Sequence, residues 1–210
     1  MDSTVALAKV ERTHDVRVVL FFDYGQRALV SERAAVVALC SYYGLPVREV
    51  ELRWLESLAP AGMRSGGADP GEEGLVHVDD LWIPNRNGVF LNVAAAFAES
   101  YQCDVVVTGF NREEAAEFPD NSREYVERTN DALSLSTRNR VNVISPTLDL
   151  SKREILLEGV EVGAPLSTIW SCYRSGERMC GRCASCARLK VAIDALPTQK
   201  RPMIEFEPSP

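Results

Sequence analysis

The chain has 210 residues, of which 46% are apolar and 25% are charged, and its formal net charge is −7. This composition is typical of a folded globular protein and argues against a disordered, collagen-like or coiled-coil chain, while the length favours one domain over two. The acidic balance provides no general attraction for nucleic acid or anionic lipid, so we expect neither as a direct partner.

The sequence predicts neither a membrane span nor a secretory signal. Apolar runs such as residues 16–22 are far shorter than the roughly 18 residues that a membrane helix requires. The first four residues, Met-Asp-Ser-Thr, carry no basic segment followed by an apolar stretch, which a signal peptide would have. We therefore expect a cytoplasmic protein.

Strand-like and helix-like segments alternate along the chain. In chain order, the patterns predict a strand at 16–22, a helix at 31–43, a strand at 47–52, a helix at 87–101, a strand at 104–109, a helix at 122–136 and a strand at 141–144. Strands rich in Val and Ile that alternate with helices of this length are typical of a mostly parallel sheet with helices on both faces. The predicted fold is α/β and Rossmann-like.

Polar residues follow the predicted strands at the positions where such folds bind ligands. The first strand leads into Asp23-Tyr24-Gly25-Gln26, and the third leads into Thr108-Gly109-Phe110-Asn111. Further on, Ser151 and Glu154 have the spacing of a capping box, whose helix start offers N–H donors to an anion. A helix cap without any ligand explains this last motif equally well.

Two segments give weaker signals. The polar stretch at 59–74 is interpreted as a long surface loop that is either a lid or disordered, and the tail from Pro197 is interpreted as irregular. The motif Ser-Gly-Gly-Ala-Asp at 65–69 imitates a phosphate loop, but no buried strand precedes it and a proline follows it, so we reject it. His14 and His77 receive no role.

Four cysteines form the strongest chemical signal in the chain, namely Cys172, Cys180, Cys183 and Cys186. Four thiolates at short spacings can close a tetrahedral zinc site, which has no open position for water and is therefore structural. An iron–sulfur cluster is the alternative, although the Cys-Pro that often follows such a motif is missing. Cys40 and Cys103 are interpreted as ordinary buried thiols.

Several motifs in this order resemble the 7-cyano-7-deazaguanine synthases, the QueC group of the PP-loop ATP pyrophosphatases. The matching pieces run nearly from end to end: Asp2-Ser3-Thr4, Phe22-Asp23-Tyr24-Gly25-Gln26-Arg27, Ile83-Pro84-Asn85-Arg86-Asn87, Val107-Thr108-Gly109, Phe118-Pro119-Asp120 and the four cysteines. The resemblance implies an adenine nucleotide alpha hydrolase-like domain at 1–165, a zinc-binding helical segment at 166–196 and a tail at 197–210.

The family's PP-loop has a strand and Ser-Gly-Gly before its Asp-Ser-Thr, whereas this sequence begins at Met1-Asp2-Ser3-Thr4. Three hypotheses account for the difference: a misplaced gene start, an incomplete sequence of a longer protein, or a truncated and inactive relative.

Site residues follow from the resemblance position by position. It implies that ATP and its Mg²⁺ contact Met1, Asp2, Ser3, Thr4, Tyr24, Gln26, Arg86, Asn87, Gly109 and Lys152. For the deazaguanine substrate, carboxylates in the segment 111–121 can accept from a guanidine-like edge, and the candidates are Asp120, Glu114 and Phe118. No nucleophilic side chain is required.

The implied reaction uses ATP to adenylate 7-carboxy-7-deazaguanine, ammonia to form an amide, and a second ATP to dehydrate that amide to 7-cyano-7-deazaguanine. Family members are commonly dimers, so we expect a homodimer. Two alternatives stay open: another PP-loop ATPase such as a tRNA-thiolating enzyme, which the acidic charge disfavours, and a non-catalytic zinc-binding relative.

Overall fold

A computed structural model describes residues 1–64 and 80–208 of the chain. The imitation motif at 65–69, most of the predicted loop at 59–74 and His77 lie outside the described residues. None of the helices in the two described ranges combines the length and the apolar character that crossing a membrane would require.

Helices and strands alternate as the sequence predicts. In chain order the described elements are α1 (Asp2–Val10), β1 (Val19–Asp23), α2 (Leu29–Tyr43), β2 (Val47–Glu51), α3 (Arg86–Ser100), β3 (Val105–Val107), α4 (Arg112–Glu117), α5 (Arg123–Ser136), β4 (Asn142–Ile144), α6 (Lys152–Glu161) and α7 (Ala184–Asp194). Short 3-10 turns at Arg53–Leu58, Ala61–Met63, Pro119–Asn121, Leu166–Thr168 and Thr198–Lys200 connect them.

The chain forms two compact units. The first unit contains Met1 and residues from 18–84 and 165–210, and therefore holds β1, α2, β2 and α7. The second contains 2–17 and 85–164, and holds the other elements. The functional division at residues 165 and 196 that the resemblance implies stays a prediction.

In the first unit, β1 and β2 pair in parallel, with Val19 opposite Val47 and Asp23 opposite Glu51. Strand β1 begins at Val19, three residues later than predicted. The partner residue before β2 is Pro46, which has no N–H to donate to β1 and so cannot extend the pairing. Helix α2 packs on both strands. It ends at Gly44, whose left-handed φ of 67° suits a residue without a side chain.

In the second unit, β3 and β4 form another parallel pair, with Val105 opposite Asn142 and Val107 opposite Ile144. Helices α3 and α5 pack against these strands, and α1 packs against α6. The core between the strands and helices is apolar, consisting of Leu91, Ala95, Ala98, Phe110, Val126, Leu133, Val141 and Val143. The α/β fold and its parallel pairing are thus confirmed.

Helix α4 is absent from the sequence-based prediction. It has six residues, Arg112–Glu117, and none of them is buried. A helix this short completes fewer than two turns and therefore displays no apolar periodicity.

Candidate functional site and metal centre

The first turn of α1 lies directly against the backbone that follows β3. A Cβ atom built on Gly109 would lie 2.5 Å from the Ser3 nitrogen and 2.8 Å from the Asp2 carbonyl carbon. Since real Cβ atoms do not approach other heavy atoms so closely, only glycine allows the strand end and the helix start to meet here. Gly109, Asp2 and Ser3, three residues that the resemblance assigns to ATP, are thereby brought together; their contact with a nucleotide stays a prediction.

Lys152 joins two carboxylates at this point. Its ammonium, at the start of α6, contacts Asp2 Oδ2 and lies 2.6 Å from Glu114 Oε1. The side chains of Lys152 and Asp2 are only 14% and 16% exposed, and that of Glu114 is 32% exposed. The two ion pairs are therefore largely shielded from water. Such shielded pairs are stronger than pairs exposed at the surface.

The charge state of Lys152 follows from these contacts. Burial by itself disfavours the ammonium, but the charges and hydrogen bonds of Asp2 and Glu114 outweigh that effect and raise the pKa of Lys152. The side chain is thus a cation at neutral pH. Asp2 Oδ1 is buried and accepts no hydrogen bond from the residues that the structure describes.

Asn111 is a fully buried residue of this site, which the sequence places after the third strand without giving it a role. Its Oδ1 accepts from the Glu114 N–H at 3.0 Å, which caps α4, and its Nδ2 donates to Asp2 Oδ2 at 3.5 Å. The pattern Asn-x-x-Glu after a strand is a helix-start signature that could have identified it. Asn111 therefore connects α4 to the start of α1.

A second group of predicted residues lies at the start of α3. Asn85 precedes the helix with a left-handed φ of 54°, an unusual value for a residue other than glycine. Asn87 Nδ2 donates to the Asp120 carbonyl oxygen at 3.5 Å. Burial raises the pKa of the Asp120 carboxyl, and the nearby positive charge of Arg86 partly opposes this shift. Three of the predicted residues, Arg86, Asn87 and Asp120, are thus neighbours.

Phe118 lies two residues before Asp120 and directly follows the last residue of α4. Its N–H donates to the Glu114 carbonyl oxygen at 2.7 Å, and its side chain is partly buried. The predicted substrate residues Glu114, Phe118 and Asp120 therefore belong to one continuous segment, although Glu114 contacts Lys152.

Tyr24 and Gln26 lie in the first unit, in the turn after β1. The Gln26 side chain is 4% exposed, accepts from the Tyr24 N–H at 3.0 Å, and donates to the Phe22 carbonyl and to Glu32 at 3.0 Å each. Its amide thus stabilises the turn itself. A nucleotide contact by either residue stays a prediction.

Asp23, the last residue of β1, stabilises the same turn. It is 1% exposed, its Oδ1 accepts from the Gly25 N–H at 3.1 Å, and its Oδ2 accepts from Arg53 at 2.7 Å. Gly25 has a φ of 77°, and a Cβ there would lie 2.5 Å from Glu56 Oε2. The motif after β1 is therefore a rigid turn with a buried, charge-paired carboxylate.

The four predicted metal ligands converge in the first unit. Their sulfur atoms all lie within 4.8 Å of one another, and every one of these residues is buried. The Sγ atoms of Cys172 and Cys183 are 4.0 Å apart, and those of Cys180 and Cys186 are 3.9 Å apart. Four ligands at about 2.3 Å from one tetrahedral ion would be roughly 3.8 Å apart, so the cluster can bind a metal ion.

Backbone N–H groups support negative charge on these sulfurs. Cys172 Sγ accepts from the N–H groups of Arg174 and Cys180 at 3.4 and 3.5 Å, and Cys180 Sγ accepts from that of Cys183 at 3.3 Å. Hydrogen bonds from the Cys172 and Cys186 thiols lower the pKa of the Cys183 thiol, whereas hydrogen bonds with Cys172 and Cys183 raise the pKa of the Cys186 thiol. The backbone of this loop therefore stabilises the thiolate form, which is the form that binds metal.

Comparison with known proteins gives consistent results. The model of the family "Queuosine biosynthesis protein QueC" matches residues 1–196. A 7-cyano-7-deazaguanine synthase from Pelotomaculum thermopropionicum is 46% identical over 198 residues, covering 90% of this chain and 90% of the relative. The synthase from Carboxydothermus hydrogenoformans is 45% identical, covering 91% of this chain and 93% of the relative. The one from Methanosarcina mazei is 38% identical, covering 90% of this chain and 87% of the relative.

Among solved structures, the U34-tRNA thiolase NcsA from Methanococcus maripaludis, with its 4Fe-4S cluster, aligns with a TM-score of 0.48. Its sequence identity is 16%, and the alignment covers 95% of this chain and 64% of the thiolase.

Proposed function

The chain belongs to the QueC family of queuosine biosynthesis proteins, and we propose that it converts 7-carboxy-7-deazaguanine and ammonia into 7-cyano-7-deazaguanine with ATP. One observation carries the proposal: the 46% identity, over 90% of both chains, with a relative that bears the name of this activity. The enzyme would be a ligase that forms a carbon–nitrogen bond.

We assign the phosphates of ATP to the start of α1. Helix N-termini present unpaired N–H groups and a positive dipole end to an anion, and α1 and α6 both begin in this part of the second unit. The ammonium of Lys152 adds a full positive charge. Asp2, Ser3, Thr4 and Gly109 would then surround the phosphates and the accompanying Mg²⁺, and Met1 precedes them.

We assign the deazaguanine ring to the segment that contains Phe118 and Asp120. A carboxylate can accept two N–H groups from a guanidine-like edge. The raised pKa of Asp120 reflects burial, and burial strengthens a hydrogen bond once a ligand provides it. Arg86 and Asn87, which the resemblance assigns to ATP, are neighbours of Asp120 and would place the nucleotide beside the ring.

The chemistry follows from this assignment. The substrate carboxylate oxygen attacks the α-phosphorus and pyrophosphate leaves, after which ammonia displaces AMP to give the amide. A second ATP adenylates the amide oxygen and releases pyrophosphate, and loss of AMP and of the protons on nitrogen gives the nitrile. The side chains named above would act by positioning the reactants and stabilising negative charge.

For the four-cysteine site we propose zinc. The thiolates of a four-iron cluster bind four different iron atoms, whereas the sulfur separations of 3.9 and 4.0 Å are those of ligands to a single ion. With four protein ligands the ion has no position for substrate, so its role would be to hold the loop before α7 and the start of that helix together.

The function is tested by incubating the purified chain with ATP, Mg²⁺, ammonium and 7-carboxy-7-deazaguanine, and following nitrile and AMP by mass spectrometry. Nitrile that appears together with AMP supports the proposal. A version that carries the family's first strand and Ser-Gly-Gly before Met1 is assayed in parallel, which separates a wrong assignment from a requirement for those residues.

Two alternatives give different results in this assay. A tRNA-thiolating enzyme would release AMP only when tRNA is added, and a non-catalytic zinc-binding protein would release none with either version. The homodimer, the cytoplasmic location and the division into functional segments stay predictions that this assay does not address.

A further inference from the structure

We propose that Glu114 does not bind the deazaguanine but is a positioning residue that holds the Lys152 ammonium toward the ATP phosphates. This inference rests on the proposed function, since it concerns how that site binds ATP. It changes the role that the sequence suggested for Glu114, and it adds Glu113 as its partner on the same helix.

Helix α4 holds Lys152 at two points. The Lys152 backbone N–H donates to Glu113 Oε1 at 2.8 Å, and the Lys152 ammonium lies 2.6 Å from Glu114 Oε1. Two consecutive carboxylates therefore fix the first residue of α6 at its backbone and at the tip of its side chain. A lysine side chain has four rotatable bonds, and holding both ends removes much of that freedom before ATP arrives.

The remaining contact gives the ammonium its direction. Lys152 Nζ also contacts Asp2, the residue that begins α1. Asp2 is held in turn by Asn111, which caps α4 through the Glu114 N–H. The ammonium is therefore placed at the start of α1, where the phosphates are assigned, by groups that all belong to α1, α4 and the loop before α4.

Charge explains why this placement is needed. Asp2, Glu113 and Glu114 are three carboxylates beside a site assigned to a polyanion. Other ionised groups nearby pair with one another, since Arg112 binds Glu154 at 3.0 Å and Lys9 binds Glu158. Lys152 thus offsets the carboxylates where the phosphates would bind, and a misplaced ammonium would leave those carboxylates opposed to ATP.

The geometry also argues against a direct substrate contact by Glu114. One of its oxygen atoms already accepts a charge-assisted hydrogen bond from a largely buried ammonium. Binding a guanidine-like edge with both oxygens would require breaking that bond. Asp120, by contrast, accepts at Oδ1 from the neutral side-chain amide of Asn121 at 3.0 Å, and exchanging a neutral donor for a ligand costs less than breaking a bond to a buried ammonium.

The test compares Glu114→Gln with Glu113→Gln in the full chain. Both variants remove one negative charge from α4. Glu113→Gln keeps a side-chain oxygen that can accept from the Lys152 N–H, whereas Glu114→Gln removes the charge that holds the ammonium. Binding of ATP and of adenosine is measured by calorimetry. We expect Glu114→Gln to weaken ATP binding by about tenfold, the effect of losing one hydrogen bond to a charged group, and to leave adenosine binding unchanged, because adenosine has no phosphates.

A second variant shows whether the effect passes through Lys152. In a Lys152→Gln background, Glu114→Gln should have little further effect on ATP affinity, because the group that it positions is gone. Glu114→Asp should restore part of the affinity, and melting curves confirm that each variant is folded. Equal losses for ATP and adenosine, or additive losses in the double variant, would overturn the proposal.

The outcome separates this proposal from the proposed function. ATP binding that depends on Glu114, without nitrile formation by either version of the chain, would refute the synthase assignment and leave the positioning role intact. Nitrile formation with unaltered KM for ATP in Glu114→Gln, and a raised KM for 7-carboxy-7-deazaguanine instead, would overturn the positioning role and restore the substrate role. Failure of both versions of the wild-type chain to bind ATP would overturn both.

Discussion

Gly109 and Ser3 lie so close together that a methyl group on Gly109 would clash with Ser3: a Cβ there would lie 2.5 Å from the Ser3 nitrogen. The contact joins the end of β3 to the first turn of α1, and both neighbours are backbone atoms that cannot rotate away. The start of α1 is therefore positioned by the absence of a side chain on a residue more than a hundred positions later.

We accordingly predict that Gly109→Ala displaces α1. Overpacking of this kind costs about 1–3 kcal/mol of the free energy of unfolding, and ATP binding should weaken because the phosphates are assigned to the displaced turn. Denaturant unfolding and calorimetry measure the two effects. Gly163→Ala is the matched control, since a Cβ there would meet no atom within 4 Å; its left-handed φ predicts some loss of stability with normal ATP affinity.

Cys183→Ser should lower metal content and stability together. The serine oxygen is a poor ligand where a thiolate is needed, and metal binding in structural sites is coupled to folding. We expect the wild-type chain to contain about one zinc ion and the variant nearly none, measured by elemental analysis together with a melting curve. Cys103→Ser, outside the cluster, should retain the metal. Full zinc occupancy in Cys183→Ser would disprove the assigned site.

Asp120→Asn should raise stability at neutral pH while impairing substrate binding. Burial raises the pKa of this carboxyl in the folded chain, so ionising it opposes folding once the pH exceeds the unfolded value of about 3.9. The advantage of the amide should therefore appear as the pH rises above that value and vanish below it, where the carboxyl is protonated in both states.

Unfolding experiments between acid and neutral pH measure this difference, and Asp131→Asn is the control because Asp131 is exposed. For the substrate, loss of a charged acceptor should raise KM for 7-carboxy-7-deazaguanine by roughly tenfold or more. An unchanged KM would show that Asp120 does not bind the ring.

The tail should slow the loss of metal from the four-cysteine site. Phe206 pairs with Met179 in the cysteine loop, the Glu207 N–H donates to the Met179 carbonyl at 2.8 Å, and the Lys190 ammonium lies 4.9 Å from the centre of the Phe206 ring. Arg178 also pairs with Glu205 at 3.1 Å. These contacts connect the tail to the loop that bears Cys180.

We therefore expect a chain that ends at Leu196 to release zinc several-fold faster to a chelator, because local opening of the loop becomes easier. Phe206→Ala in the full chain should have a smaller effect in the same direction, and Met203→Ala, at an 89% exposed position, should have none. Equal release rates for the shortened and full chains would show that the tail contacts do not protect the metal.

Local patterns in the sequence determined much of this protein. The Val-rich runs, the spacing of the apolar residues and the Ser151–Glu154 capping box depend on residues within a few positions of one another. The elements they predict agree with the structure to within a few residues, and the capping box forms with both of its hydrogen bonds. The four cysteines were likewise evident from spacing alone, and their sulfur atoms converge as expected.

Tertiary structure decided which of these residues meet. Lys152 is 150 positions from Asp2 and 38 from Glu114, and no periodic pattern reports contacts over such separations. Four neighbouring carboxylates in the segment 111–121 look alike in the sequence. In the structure, Glu113 accepts from the Lys152 backbone N–H, Glu114 accepts from the Lys152 ammonium, and Asp120 lies beside Arg86. Sequence specifies the chemical groups, and only the packing of distant elements assigns each group its partner.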